Sequence, residues 1–491
     1  MPAETHAELT HKTSESTKLP LCVDLDGTLL KTDSLVEMTF SALKQRPFLL
    51  LRLPALICSG KAALKHEIAS LSKLDPAKLP LNEELLAFLK RERSAGRYLV
   101  LATGANRSIA ERINARLGLF DEIIASDCTQ NVCGEVKRDE LVRRFGAQGF
   151  AYAGNSSADH PVWAAAGEAI VVNAKRSVER KARRDANVSM VVSSKPSSFR
   201  ILLKAMRVHQ WSKNLLVFVP LIAAHQVLNA DAWLSSLLLF AAFGLCASAG
   251  YLINDLLDID ADRLHPTKRH RPIASGAMPI HHALFLAPAL LLMAAALSTG
   301  LTITCQSLLA VYFLVSMLYS MYLKRKLLID VYCLAGLYTL RVLAGGEACE
   351  IECSKWLLSF SAFLFISLAF LKRFSELNAS DESHNAENRR GYRREDTIGV
   401  AALGICSGLV CALVLALYIS SADVQGLYVE SDLLWLVCPL LLYWISRVWL
   451  IAFRGKMTSD PVVFALTDRI SYAVASIIAL IIFGAAKVEL S

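Results

Sequence analysis

Residues 237–276 read LLLFAAFGLCASAGYLINDLLDIDADRLHPTKRHRPIASG, and this stretch decides how the chain is organised. Residues 237–253 form an apolar run, residues 254–262 carry four aspartates, and residues 263–271 carry four lysines and arginines. An apolar run of about 20 residues crosses a bilayer. Acidic side chains near the end of such a run are energetically costly, so their presence indicates a functional site. The stretch therefore predicts a membrane helix that ends in a functional polar segment.

The apolar residues are spread unevenly over the 491 residues. The sequence is mixed and charged up to about residue 200, as in a soluble domain, and long apolar runs recur beyond Asn214. Nine segments are long and apolar enough to be membrane helices: 215–230, 232–253, 282–300, 302–323, 327–346, 355–372, 397–420, 432–450 and 468–487. Residues 1–19 are polar and lack the apolar core of a signal peptide, which predicts a disordered leader.

Lysines and arginines concentrate in alternate loops, at 263–271, 324–326, 372–394 and 447–469. The intervening loops at 225–233, 297–306 and 420–432 contain none, and 345–355 contains one. By the positive-inside rule this bias predicts a multi-pass membrane protein with the soluble domain and the basic loops in the cytoplasm, and we expect the membrane to be the bacterial inner membrane. The net charge of +8 does not indicate nucleic-acid binding, because topology and anionic lipid headgroups already account for these bases.

Residues 19–33, LPLCVDLDGTLLKTD, predict an apolar strand that ends at Asp24, with Asp26 and Gly27 beyond it. A carboxylate at the carboxyl end of a strand faces the crevice where open α/β sheets bind ligands. Further predicted strands end near Thr103 and Asn155, 168–174 reads as the last strand, and the residues after it read as a polar end and linker. A carboxylate, a hydroxyl, a lysine and a second acid at strand ends suit phosphoryl transfer through an aspartyl-phosphate.

This constellation resembles the haloacid dehalogenase (HAD) superfamily of phosphatases, which implies a Rossmann-like α/β domain over 20–195 with a small helical cap at about 33–95. The motifs that carry the resemblance are DLDGT at 24–28, Thr103, Lys137 and the turn GNSSAD at 154–159. The resemblance implies that Asp24 is the nucleophile, that Asp26 is the general acid and base, and that Thr103 and Lys137 hold the phosphate. It implies Mg²⁺ at a site formed by Asp24, Asp26, Asn155 and Asp159.

The turn departs from the family pattern at one position, because Asn155 stands where the family usually has its first aspartate. An asparagine offers an oxygen ligand without a charge, which predicts a lower affinity for Mg²⁺. Residues 196–213 follow the domain as a linker with an interfacial helix.

On a helix that advances about 100° per residue, Asp255, Asp258 and Asp262 fall within about 60° of one another, with Asn254 beside them. Three carboxylates on one face repel each other, and a cation relieves that repulsion. Oxygen ligands favour Mg²⁺, which typically links protein carboxylates to substrate phosphates. The basic run after them, from Arg263 to Arg271, would grip the same phosphates.

NDxxDxxxD after a membrane span resembles the UbiA superfamily of intramembrane prenyltransferases, over about 200–491. The resemblance implies an all-α, nine-helix transmembrane bundle, here residues 214–491, and it is closest to the decaprenyl-phosphate 5-phosphoribosyltransferase branch. The motifs that carry it are HQWSKN at 209–214, NDLLDIDADRLHPTKRHRPIASG at 254–276, YSMYLKRKLLIDV at 319–331, LRVLAGG at 340–346, LKRFSEL at 371–377 and DPVVFALTDR at 460–469. The aromatic prenyltransferases of the superfamily usually have a second DxxxD motif, whereas Asp330 stands alone here.

The branch implies transfer of a 5-phosphoribosyl group from phosphoribosyl diphosphate (PRPP) to a polyprenyl phosphate, with release of diphosphate. We assign Mg²⁺ to Asp255, Asp258 and Asp262, supported by Asn254. Basic residues assigned to substrate phosphates are Lys268, Arg271, Lys324 and Arg341, and those assigned to the lipid phosphate or ribose 5-phosphate are Lys213, Lys372, Arg373 and Arg469.

The fusion of the two domains predicts a bifunctional enzyme, in which the tethered phosphatase removes the 5-phosphate of the transferase product. One alternative is an aromatic prenyltransferase, with a prenyl diphosphate donor, a hydroxybenzoate-like acceptor and an unrelated or inactive HAD domain. Another alternative is a non-catalytic lipid-binding or transport protein, because membrane proteins of that class also carry intramembrane acids.

Overall fold

The computed structural model describes residues 18–49, 51–52, 54, 61–72, 74–127, 130–193, 198–378, 391–422, 424, 428–457 and 460–486. The chain forms two compact units, one of residues 1–202 with 258–283 and one of residues 203–257 with 284–491. The predicted leader lies almost entirely outside the described residues, so its disorder stays a prediction.

A six-stranded parallel sheet forms the centre of the first unit, in the order β3-β2-β1-β4-β5-β6. Its strands are β1 Leu21–Val23, β2 Leu99–Asn106, β3 Glu122–Ser126, β4 Ala151–Gly154, β5 Glu168–Val172 and β6 Val188–Val192. Val23 pairs in register with Leu101 of β2 and with Ala153 of β4. Because the strands are parallel, the chain leaves β1, β2 and β4 at the same edge of the sheet, which confirms the predicted α/β domain.

Two strands were not expected from the sequence. The prediction that 168–174 is the last strand is wrong, because β6 pairs with β5 beyond it. Residues 188–192 are only partly buried, so they lack the continuous apolar run by which the inner strands are recognised. β3 likewise begins with the half-buried Glu122 at the opposite edge of the sheet.

The helices of the first unit cover the sheet and fill the insert between β1 and β2. They are α1 Ser34–Gln45, α2 Lys61–Leu71, α3 Glu83–Ser94, α4 Arg107–Leu117, α5 Glu135–Phe145, α6 His160–Ala165 and α7 Arg176–Asp185. The next helix, α8 Ser198–Ala205, contains the point in the chain where the first unit ends. The insert at 33–95 is therefore helical in its described part, whereas its role as a cap stays a prediction. Of the apolar stretch 47–60, Leu49 is buried and Phe48 and Leu51 are exposed, and most of the rest lies outside the described residues.

Seven helices among the described residues are long and apolar enough to cross a membrane. They span Ala230–Leu257 (α10), Ile280–Ser298 (α12), Ile303–Met321 (α13), Ile329–Ala348 (α14), Lys355–Asn378 (α15), Arg394–Ile419 with α16 Thr397–Ile419, and Ser431–Phe453 with α17 Val437–Phe453. The last segment, Arg469–Ala485 (α19), is a shorter apolar helix. The first segment is a 3₁₀-helix, Val208–Phe218, followed by the five-residue α9 Val219–Ala223, so the count of nine is not confirmed.

The aspartate-rich segment is not one continuous helix, and that expectation is wrong. The helix α10 ends at Leu257, and a separate short helix, α11, spans Ile259–Leu264. Asp258 lies between them with φ −93° and ψ 9°, outside helical geometry. The interruption changes the direction of the side chains, so an angle counted at 100° per residue does not carry from Asp255 to Asp262.

Candidate active sites

A cavity of about 400 Å³ opens where β1, β2 and β4 end. Asp24, Asp26, Lys137, Asn155 and Asp159, predicted from separate motifs, all line it. Parallel strands bring these side chains together, because each follows a carboxyl end at the same edge of the sheet.

Asp24 and Lys137 form the buried charged pair of this cavity. The Lys137 ammonium donates to Asp24 Oδ1 at 2.8 Å and to the Tyr152 hydroxyl at 2.9 Å. Lys137 is 3% exposed and lies in the first turn of α5. The Asp24 amide donates to the Ala153 carbonyl of β4 at 2.9 Å, which fixes the backbone from which the carboxylate projects.

Asp26 follows on the turn after β1. Its carboxylate accepts from the Ser34 amide at 2.7 Å and from the Ser34 hydroxyl at 3.1 Å, at the start of α1. Gly27 has φ +73°, and a Cβ there would collide with the side-chain amide of Asn155. Glycine is therefore required for both the conformation and the close approach of the turn to Asn155.

Burial sets the protonation of the two carboxyl groups. Burial raises the pKa of Asp24 to about 6, against the attraction of the Lys137 ammonium, which lowers it. Burial, together with repulsion from Asp33 and Asp24, raises the pKa of Asp26 to about 7. A carboxyl group that still holds a proton near neutral pH is suited to general acid catalysis.

Asp159 organises the turn that presents Asn155. One of its oxygens accepts from the Asn155 amide at 3.0 Å and the Ser156 amide at 2.9 Å, and the other accepts from the Tyr152 hydroxyl at 2.8 Å. The sequence did not reveal Tyr152, which links Lys137 to Asp159, because a tyrosine within an apolar strand reads as core.

The oxygen donors of this cavity fit Mg²⁺ in type, since Asp24 supplies a carboxylate, Asn155 an amide oxygen and Asp26 a backbone carbonyl. Among the described residues, no three histidine, cysteine, aspartate or glutamate side chains come close enough to hold a metal by themselves. Mg²⁺ bound here would complete its shell with water and substrate phosphate, as it commonly does.

Thr103 is fully buried in β2, and its hydroxyl accepts from the Ala105 amide at 3.0 Å. The next residue, Gly104, lines the cavity, whereas Thr103 itself is not among the lining residues. Lys65 of α2 also lines it and donates to the Gly104 carbonyl at 2.5 Å and to Asn131 at 2.8 Å. A single lysine on an amphipathic helix gives no sequence signal for such a position.

In the second unit, Asp255 is buried and accepts from Arg207 at 2.5 Å. The Arg207 guanidinium also lies 4.8 Å from the centre of the Tyr251 ring. The Asn254 side-chain amide donates to the Ser320 hydroxyl at 2.8 Å. Arg207 was not predicted as a partner, because the sequence separates it from Asp255 by 48 positions.

In the first unit, Asp262 is buried and accepts from Arg271 at 2.5 Å, and its amide donates to the Asp258 carbonyl at 2.8 Å. Lys268 is exposed in the 3₁₀-turn Lys268–His270. Arg263 was expected among the phosphate-gripping bases, but its side chain is buried against Glu37, so that expectation is wrong.

A second charged group in the second unit contains Lys213, Lys372 and Asp460. Lys213 forms an ion pair with Asp460, and the Lys372 ammonium lies 4.0 Å from the same carboxylate. Asp460 also accepts from the amides of Val462 and Val463 at the start of α18, Pro461–Ala465. Asp460 lies in the motif at 460–469 but had no predicted role, because an aspartate before a proline usually caps a helix.

The remaining predicted bases differ in their surroundings. Arg341 is 5% exposed, and its hydrogen bonds among the described residues go to neutral oxygens of Asn214, Tyr312 and Leu337.

Arg373 is buried between Asp330, at 2.7 Å, and Glu376. Lys324 is half-buried in the 3₁₀-turn Leu323–Arg325, and Arg469 is exposed at the start of α19.

Comparison with known proteins identifies both parts of the chain. The family model described as the UbiA prenyltransferase family matches residues 215–467, and the one described as haloacid dehalogenase-like hydrolase matches residues 21–163. An uncharacterized protein of Sinorhizobium fredii is 39% identical over 94% of this chain and 90% of its own length.

A decaprenyl-phosphate phosphoribosyltransferase of Mycolicibacterium smegmatis is 32% identical over 55% of this chain and 87% of its own length. A solved structure of a UbiA homologue from Archaeoglobus fulgidus, bound to DMAPP and Mg²⁺, is 16% identical with a TM-score of 0.44, over 57% of this chain and 97% of that one.

Proposed function

Because this chain is an integral membrane enzyme of the UbiA prenyltransferase family with a HAD-like hydrolase domain, we propose that it carries out two successive reactions. The membrane domain transfers a 5-phosphoribosyl group from PRPP to a polyprenyl phosphate, in a reaction that depends on Mg²⁺. The N-terminal domain then removes the 5-phosphate from the lipid product. The result is a lipid-linked ribose on the cytoplasmic side of the bacterial inner membrane.

The transferase step rests on the relatives and on the aspartate-rich segment. The Mycolicibacterium smegmatis relative is named as a decaprenyl-phosphate phosphoribosyltransferase, and the match covers most of its length. Cleavage of the C1–O bond of PRPP leaves an oxocarbenium-like sugar and a diphosphate that gains negative charge. Mg²⁺ bound mainly by the diphosphate oxygens, with ligands from Asp255, Asp258 or Asp262, would stabilise that charge together with arginine and lysine side chains.

The observation that carries the phosphatase step is the buried network of Asp24, Lys137, Tyr152 and Asp159, with Asp26 beside it. Asp24 attacks the phosphorus and forms an aspartyl-phosphate, while Asp26 gives its proton to the departing 5′-oxygen. Asp26 then takes a proton from water as the water cleaves the acyl-phosphate. Lys137 stabilises the charge on the transferred phosphoryl group, and Mg²⁺, when bound, would neutralise more of it.

Fusion of the two activities has a kinetic benefit. A tethered domain meets the product of its neighbour at an effective concentration that reaches about millimolar for a short linker. The lipid product also stays in the same membrane. The phosphatase therefore acts on a substrate that is generated within its reach.

A doubly labelled donor tests the proposal. PRPP with ¹⁴C in its ribose and ³²P in its 5-phosphate is incubated with purified full-length protein, polyprenyl phosphate and Mg²⁺. We expect ¹⁴C to enter the organic phase and ³²P to appear as inorganic phosphate. Absence of lipid-bound ¹⁴C contradicts the transferase, and a prenylated hydroxybenzoate formed from prenyl diphosphate supports the aromatic alternative instead. Lipid that keeps both labels contradicts the phosphatase.

A further inference from the structure

Residues 258–283 follow the membrane helix α10 and comprise the connecting loop and the first turn of α12, yet they belong to the same compact unit as the N-terminal domain. A solvated loop would leave its apolar side chains exposed. Instead, Ile273, Ala274, Met278 and Ile280 are buried, with exposures of 1%, 2%, 6% and 3%. Residues 258–283, which we name the docked loop, are therefore a packed element of the first unit.

A buried ion pair fixes the docked loop to α1. Arg263 donates to both carboxylate oxygens of Glu37, at 3.1 and 2.6 Å, and both side chains are 3% exposed. The Arg263 Nε also donates to the Ala274 carbonyl at 3.2 Å, which ties the two halves of the loop together. Such a pair sets a specific position, because either charge left alone in this buried place would be strongly destabilising.

Close packing at Gly276 is a second contact that holds the docked loop against the N-terminal domain. Gly276 has φ +72°, and a Cβ there would lie 2.9 Å from Lys31 Cβ and 3.0 Å from atoms of Thr32 and Pro80. Lys31 and Thr32 follow directly on the turn that carries Asp26. The docked loop thus packs against the chain that leaves the phosphatase site.

The end of the docked loop reaches the cavity itself. Pro279, Ile280 and His281 line the same 400 Å³ space as Asp24 and Asp26. Cavities of about 300–1,000 Å³ hold whole small molecules, so this one has room for the group that carries the phosphate. An imidazole can donate and accept a hydrogen bond, which matches sugar hydroxyls, while proline and isoleucine offer an apolar surface to the carbons of the ring.

We infer that the docked loop completes the phosphatase pocket, and that His281 is a specificity residue that hydrogen-bonds the pentose attached to the phosphate. The identity of the pentose rests on the function proposed above, whereas the place of the loop in the pocket rests on the contacts of Arg263, Gly276 and His281. The loop that carries Asp258 and Asp262 of the transferase therefore also selects the substrate of the phosphatase.

Steady-state kinetics of the full-length protein test this inference with ribose 5-phosphate and p-nitrophenyl phosphate. His281→Ala is expected to lower kcat/KM for ribose 5-phosphate by about tenfold, mainly through KM, as the loss of one hydrogen bond predicts. The rate with p-nitrophenyl phosphate stays unchanged, because that substrate has no sugar. His281→Gln recovers part of the loss, since an amide also donates and accepts. His270→Ala, at an exposed histidine of the docked loop outside the cavity lining, is the matched control.

The outcomes separate the inference from the proposed function. A wild-type protein without any preference for ribose 5-phosphate over p-nitrophenyl phosphate contradicts both. A preference that survives His281→Ala contradicts the role of His281 alone. Equal losses on both substrates assign His281 to the fold of the site and also overturn the inference.

Arg263→Glu, and its combination with Glu37→Arg, provide a second measurement. The single change is expected to reduce the preference for ribose 5-phosphate, and the reversed pair to restore it. A preference unaffected by the single change contradicts the anchoring of the loop.

Discussion

The phosphatase pocket and the aspartate-rich segment bring acids and bases together in different ways. In the pocket, Asp24 and Lys137 are 113 positions apart and meet because the end of β1 and the first turn of α5 lie at one edge of the sheet. In the aspartate-rich segment, each buried acid is matched with an arginine, Asp255 with Arg207 and Asp262 with Arg271.

The two regions differ in how their charged side chains are paired. In the pocket, one buried ammonium, that of Lys137, lies 2.8 Å from Asp24 and 4.0 Å from Asp159, and this arrangement leaves Asp24 as the carboxylate placed to attack. The aspartate-rich segment has carboxylates and guanidinium groups side by side. If the proposed function is right, a metal ion and a diphosphate would supply a new partner for each, and the acids and bases would exchange partners when substrate binds.

Asp258→Asn should have the largest effect. Loss of a metal ligand is expected to lower transfer of ¹⁴C to lipid by roughly 1,000-fold, since metal stabilisation of a leaving group is worth several kcal/mol. No ³²P is then released, because the phosphatase has no lipid substrate. Asp260→Asn is the matched control, because Asp260 forms an exposed pair with Lys44 that contributes at most about 1 kcal/mol. Full transfer by Asp258→Asn would contradict its role.

Asp24→Asn should abolish only the second reaction. Without the nucleophile, release of ³²P is expected to fall by at least about 1,000-fold, while transfer of ¹⁴C continues and the 5-phosphorylated lipid accumulates. Thin-layer chromatography of the lipid phase separates the two products. Asp139→Asn, on the exposed face of α5 near Lys137, serves as the control. A phosphatase that remains active would show that another group attacks the phosphorus.

Lys137→Met should destabilise the first unit by about 3–5 kcal/mol, because it leaves Asp24 buried without its counter-charge. Hydrogen exchange of the β1 amides in the full-length protein measures this change. The double variant Asp24→Asn, Lys137→Met should recover much of the loss, whereas Lys90→Met on the exposed face of α3 should have little effect. Equal protection in Lys137→Met and the wild type would contradict the importance of the pair.

Asn155→Asp should have the smallest effect, and it should strengthen Mg²⁺ binding instead of impairing a reaction. A further carboxylate, at position 155, is expected to lower the Mg²⁺ concentration for half-maximal ³²P release by about tenfold, because charge raises the affinity of oxygen sites for divalent cations. The Mg²⁺ dependence of ¹⁴C transfer in the same preparation should not move. An unchanged or higher requirement for release would show that Asn155 is not a ligand.

The sequence predicted the polar positions of the phosphatase site better than their partners. Asp24 and Asn155 stand at strand ends, and parallel pairing needs no further information to bring them together, whereas Lys137 comes from the first turn of α5. Tyr152 and Lys65 carry no such signal, since one reads as strand core and the other as a surface lysine. β6 was missed because an edge strand lacks the apolar run of the inner strands.

By itself, the sequence determined the division into a soluble α/β part and an apolar helical part, because burial in a sheet and in a bilayer each demand a pattern of apolar residues. It did not determine where every acid and base belongs, because Asp262 and Arg271 were predicted in the membrane part and lie in the first unit. Only the tertiary structure decided that the loop after α10 packs on the N-terminal domain, that Arg263 pairs with Glu37, and that His281 enters the phosphatase pocket. These contacts join residues more than 200 positions apart, and long-range complementarity of shape and charge leaves no periodicity in a sequence.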